Sequence, residues 1–184
     1  MLTRQFRYAI LAGLLLLPRL AFAETQWMGQ INQWSVGFET GAGEPYCRLR
    51  WDSQLGKAVE FQASRDLTRW LVARDGWEIP SGKTTVVTVV DGDRHVDAPA
   101  AFFDAKTLQL WVKDGQTRNG PTKRLITDAF QGRPDLQLSF AGNEPDWIVP
   151  VSRVETLYPE FVQCMQRLTG STQQTTETAS AQPF

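Results

Sequence analysis

Apolar and polar residues alternate in short runs along most of the chain. Gln33 to Glu39 alternates, Gly41 to Pro45 breaks the run, and Tyr46 to Asp52 alternates again. In that second run Cys47, Leu49 and Trp51 fall on one side and Arg48 and Arg50 on the other. Successive side chains of a strand point to opposite faces, so each run predicts a half-buried strand, with Cys47 turned inward. Lys57 to Ala63 and Arg69 to Ala73 are two further short strands. Thr84 to Val90 is rich in β-branched residues, which fit a pleated surface, and its apolar end predicts a central strand. Arg94 to Phe103, Thr107 to Lys113 and Leu136 to Phe140 continue the pattern, for about eight strands in all. Three Asp-Gly pairs, at Asp75-Gly76, Asp91-Gly92 and Asp114-Gly115, supply turns, and this spacing favours antiparallel strands over a βαβ layout.

The period changes twice. Pro121 to Phe130 carries Leu125, Ile126, Ala129 and Phe130 at helical spacing. A second helix carries Leu157, Tyr158, Phe161, Val162, Met165 and Leu168, and Gly170 stops it. Ser152 or Thr156 can cap its start, and Pro159 suits a first turn, which favours the later start near Thr156. Cys164 lies on the margin of the apolar face, where it can meet Cys47 from above the sheet. The fold class expected is mainly β: an antiparallel β-sandwich or half-open barrel, with one short internal helix and a C-terminal helix.

The two ends read differently from the middle. Arg4 and Arg7, the apolar run Tyr8 to Leu17 and the small-x-small Ala21-Phe22-Ala23 have the form of a secretory signal over residues 1–23. An apolar run of about ten residues is too short to span a bilayer, which takes roughly twenty. Residues 24–169 then make one domain, and 170–184, almost without apolar content, a disordered tail. The expected location is periplasmic or secreted, with no transmembrane segment after cleavage. Removing residues 1–23 takes away Arg4, Arg7 and Arg19 and no acid, which leaves 16 basic against 20 acidic residues. A net charge of −4 argues against nucleic acid as a partner, since phosphate binding needs clustered Lys and Arg.

Two cysteines in an exported chain read first as a disulfide, Cys47 to Cys164, with two buried free thiols as the alternative. There is no C-x-x-C spacing to suggest a redox pair. His95 is the only histidine and no G-x-S-x-G elbow exists, so a hydrolytic triad has little to build on. One His and two paired Cys do not make a zinc site. Asp91, Asp93 and Asp97 offer oxygens from one loop but lack the order of a calcium loop, and a solvated hairpin is the simpler reading. Glu60, Glu78 and Asp104 are the acids that a glycoside-cleaving pair would draw on. No catalytic residue, cofactor or metal is expected.

Seven tryptophans remain. Either they fill a core, or two or more share an exposed face and form a platform for a sugar or protein. Trp77 and Trp147, flanked by turn residues, are the expected exposed pair, with Trp111 a third candidate.

Gln33-Trp34-Ser35-Val36, Cys47, Ile79-Pro80-Ser81-Gly82 before a strand ending Val90-Asp91-Gly92, and Ile148-Val149-Pro150-Val151-Ser152 ahead of the last helix form a further pattern. It resembles the invasion-associated locus B family of exported alphaproteobacterial proteins. That family usually has extra cysteines just after the first Trp and in mid-domain, and both are missing here. The resemblance implies a periplasmic or surface-associated β-rich module without accepted enzymatic activity. The function expected is a non-catalytic binding or envelope-support module recognising a protein or glycan partner, with a carboxylate-dependent hydrolase of envelope polysaccharide as the alternative.

Overall fold

The computed structural model describes residues 24–41, 43–110, 128, 131 and 135–170. The signal-like segment 1–23, Trp111, the Asp114-Gly115 turn, nearly all of the helix expected at Pro121 to Phe130, and the tail beyond Gly170 lie outside them.

Ten strands form one antiparallel sheet. They are β1 (Glu24–Ile31), β2 (Trp34–Thr40), β3 (Tyr46–Asp52), β4 (Lys57–Ala63), β5 (Thr68–Arg74), β6 (Thr84–Asp91), β7 (Arg94–Asp104), β8 (Thr107–Leu110), β9 (Leu136–Phe140) and β10 (Trp147–Val149). Their order in the sheet is β1-β2-β3-β4-β5-β8-β7-β6-β9-β10. The first five strands form a meander. The chain then skips two positions to lay down β6, walks back through β7 and β8 to reach β5, and returns to the far side of β6 with β9 and β10. Asp91-Gly92 turns β6 into β7 as the sequence predicts. Asp75-Gly76 does not make a hairpin, because the neighbour of β5 is β8 rather than the next strand.

Two edge strands are additions to the sequence pattern. β1 lacks clean alternation because its register slips between Trp27 and Gly29. β10 is only three residues long. The sheet is not closed into a barrel, yet it folds over a single core. Side chains from both halves, from Trp34 and Phe61 to Val87 and Trp147, join one buried cluster. The Trp34 indole N–H donates to the Pro150 carbonyl (2.6 Å), and Lys57 Nζ on β4 stands 5.1 Å over the Trp147 ring on β10. Strands six places apart in the order can touch only if the sheet doubles back.

A 3₁₀ turn (Val154–Leu157) leads into α1 (Tyr158–Thr169), with Pro159 in the first turn and Gly170 in the left-handed conformation after the last. Neither Ser152 nor Thr156 caps the helix, and the Thr156 hydroxyl instead donates to the Arg153 carbonyl (2.7 Å). At the other end Arg65 donates to the Leu168 carbonyl (2.6 Å), satisfying one of the acceptors that a helix leaves open there. Phe161, Cys164 and Leu168 are the buried face of α1, which packs over β1, β2 and β3. Cys47 and Cys164 are bonded, with Cα atoms 5.8 Å apart and both side chains fully buried. Among the described residues no helix is long and apolar enough to cross a membrane.

Candidate functional site

The two tryptophans expected on the surface do come together, but inside. The Trp77 and Trp147 rings stack at 5.5 Å, and both touch Phe140. Trp147 is only 1% exposed and Trp77 is half-buried. Their indole N–H groups donate to one carboxylate: Trp77 to Glu144 Oε2 (2.9 Å) and Trp147 to Glu144 Oε1 (2.7 Å), with Arg74 pairing to Oε2 as well. Burial raises the Glu144 carboxyl, but these three donors outweigh it and hold it below the ordinary glutamate range. The expected exposed pair is therefore corrected to an internal clasp. The turn residues beside both rings belong to loops that fold inward around Glu144.

Among the described residues the exposed tryptophan is Trp27, at 59%. It stands on the face of the sheet away from the core, where polar side chains predominate from β1 to β5. The ladder registers place Trp27, Gly37, Arg48, Gln62 and Arg69 opposite one another in turn, a single row across five strands. Neighbouring strands lie about 4.8 Å apart, so the row spans about 19 Å. Gly37 is what joins its first half. With no side chain there, Arg48 reaches across β2 and lays its guanidinium 4.6 Å from the centre of the Trp27 ring. A Cβ on Gly37 would meet Arg48 Nε at 3.1 Å and the Thr25 methyl at 3.2 Å. Gly37→Ala is expected to cost on the order of 1 kcal/mol and to unseat Arg48 from Trp27. Thermal unfolding and Trp fluorescence quenching check this, and an unchanged spectrum would count against the arrangement.

Ion pairs hold the rest of this face. Arg48 Nε lies 3.0 Å from Glu39 Oε1, close enough to pair though not aligned as a hydrogen bond, and Glu39 accepts the Thr25 hydroxyl (2.7 Å). Arg50 binds Glu60 (2.8 Å) and both oxygens of Asp52 (2.8 and 2.9 Å). Gln62 donates to the other Glu60 oxygen (2.7 Å). Hydrogen bonds that it donates to Asp52 first, and to Glu60, keep the Arg50 guanidinium charged. Under these long side chains β4 is buried on both faces, so the middle of the outer surface is recessed. The recess holds about 210 Å³, below the roughly 300 Å³ from which pockets for small organic ligands start. It is a trough rather than an enclosing cleft. Burial first, then the Glu60 and Glu39 carboxylates, push the Tyr46 phenol above its ordinary value, so at neutral pH it remains a donor.

The acids singled out for hydrolysis are dispersed or occupied. Glu60 and Asp104 line the same trough, but both Glu60 oxygens are engaged and Asp104 accepts the Lys106 amide (2.8 Å). Glu78 is exposed in the segment between β5 and β6, away from them. His95 is exposed on β7 beside the β6 hairpin turn. In the acidic hairpin Asp91 is buried and paired with Arg94, which also pairs with Asp128, while Asp97 takes the Thr88 hydroxyl (2.7 Å). Among the described residues no group of three or more His, Cys, Asp or Glu is arranged to hold a metal.

Comparison with known proteins finds no matching family model, curated protein or solved structure.

Proposed function

We propose that this chain is an exported, non-catalytic binding module of the bacterial envelope that recognises a glycan across the outer face of β1 to β5. The observation that carries the reading is the row from Trp27 to Arg69. An exposed indole offers its face to the C–H side of a sugar ring, and ordered planar side chains beside it offer hydrogen bonds to hydroxyls. Because ion pairs already fix Arg48 and Arg50, little rotamer freedom is left to lose on binding. A protein partner fits less well. The centre of a protein interface is depleted of charge, and here Arg48, Arg50 and Glu60 stand at the centre over a small apolar floor of Ala58, Leu71 and Ala73, while the exposed large apolar side chains, Trp27 and Phe103, stand singly at the sides.

The disulfide and the signal-like start support export, and the resemblance to the invasion-associated locus B family supports a module without catalysis. A carboxylate-dependent hydrolase is the second reading, favoured by the shared position of Glu60 and Asp104. The engaged oxygens of Glu60 speak for binding over turnover.

Trp27→Ala is expected to weaken glycan binding about tenfold or more and to leave thermal stability nearly unchanged, since the ring is exposed. A glycan array on the mature chain, repeated with the variant, reads this directly. Binding that survives the substitution would remove Trp27 from the site. Glycan cleavage lost in Glu60→Gln would favour the hydrolase.

A further inference from the structure

On the outer face of β1 to β5 the cations are not alike. Arg48 and Arg50 are both paired with carboxylates. Arg69, at the far end, is half-buried and has no carboxylate partner among the described residues. It lines a depression of about 220 Å³ beyond the trough, with Tyr46 and Gln62 shared between the two. The Tyr46 phenol makes no hydrogen bond among the described residues. Gln62 spends its N–H on Glu60 and keeps its carbonyl oxygen. The depression thus presents a guanidinium, a phenol and a free amide oxygen, joined to the aromatic end of the row by about 19 Å of ordered polar surface.

Resting on the glycan reading above, we infer that Arg69 and Tyr46 form a carboxylate subsite, so that the ligand is an acidic oligosaccharide of the uronic or sialic type. A half-buried guanidinium without a counter-ion is a ready partner for a planar carboxylate, which it grips through two parallel hydrogen bonds. The phenol adds a third donor, since burial first, and then Glu60 and Glu39, outweigh Arg48 and Arg69 and keep it protonated. Gln62 Oε1 accepts from a sugar hydroxyl. Glu44 lines the same depression and decides between anions. Its charge opposes a dianion such as phosphate, whereas a sugar acid brings one negative charge and hydroxyls that Glu44 can accept. The span to Trp27 requires several linked sugars, so a single sugar acid would use only one end.

The test is calorimetric titration of the mature chain with an oligouronate and with the same oligomer after its carboxyls have been reduced to alcohols. Each is measured against the wild type, Arg69→Gln and Trp27→Ala. Arg69→Gln is expected to weaken the oligouronate about tenfold or more and to leave the reduced oligomer unaffected. Unfolding curves should coincide, because Arg69 has no ion pair to lose among the described residues. Two results overturn the subsite: equal affinity of wild type for the acidic and reduced oligomers, or equal affinity of wild type and Arg69→Gln for the oligouronate. If neutral oligomers bind and only Trp27→Ala weakens them, the glycan reading stands and the carboxylate subsite falls. If no oligomer binds the wild type, both fall.

Discussion

Removing the Cys47–Cys164 bond, as Cys47→Ala with Cys164→Ala, is expected to be the most damaging change of its size in this domain. The bond closes a loop with a sequence separation of 117. The chain-entropy relation converts that loop into about 5 kcal/mol, by restricting the unfolded chain. Domains of this length are stable by about 5 to 15 kcal/mol, so a third or more of the total is at stake. For a chain of about 150 residues the loss corresponds to a fall in Tm of roughly 10–20 °C. The native side adds to it. Both sulfurs are fully buried, and α1 shares a narrow apolar face, Phe161, Cys164 and Leu168 with Met165 beside them, with the sheet. Urea unfolding of the oxidised chain against the double variant measures the difference. Coincident midpoints would mean that the apolar face alone docks the helix.

The second large effect is expected at Glu144. Glu144→Ala leaves two indole N–H groups and a guanidinium without their acceptor, in a place where Trp147 has no water to turn to. Buried donors left unpaired cost about 1 to 3 kcal/mol each, so a loss of about 3 kcal/mol is a conservative expectation. Glu144→Gln keeps an acceptor for one indole and should cost less. Acid separates the same contributions. The folded-state carboxyl titrates below the ordinary value of 4.5, so the ionised form contributes stability that is fully present above that pH. This stability is lost as the pH falls through the lower folded value. Thermal melts from pH 6 downward should therefore show an acid decline in the wild type that is shallower in Glu144→Gln. Parallel curves would place the decline in other carboxylates.

Eight of the ten strands were legible because each needed only its own residues to declare itself. Tyr46 to Asp52 puts its apolar side chains on one face, and one face is what the core took. The disulfide was legible because only two cysteines exist and both fell on inward positions. The clasp was not, because Glu144 is separated by 67 positions from Trp77 and 70 from Arg74, and nothing local says that a polar loop residue turns inward to collect indoles. Trp27 was missed for the opposite reason. The irregular register of β1 hides its strand character, and the row that gives the ring its meaning exists only once five strands are in line. The Gly37 gap was the one local trace, a small residue in a run of otherwise alternating side chains.

Helix α1 also orders events in time. A ribosome delivers Cys47 more than a hundred residues before Cys164, so β1 to β5 must wait with an open core until the last turn of the domain emerges. The wait carries little danger of mispairing. A chain with two cysteines has one intramolecular partner for each, so oxidation needs a donor of disulfides and no enzyme to reshuffle them. What the early strands do need is protection of Trp34, Phe61 and Trp70, stacked rings of a core that the late strands and the helix complete. The nascent chain should therefore depend on holding chaperones more than on isomerases.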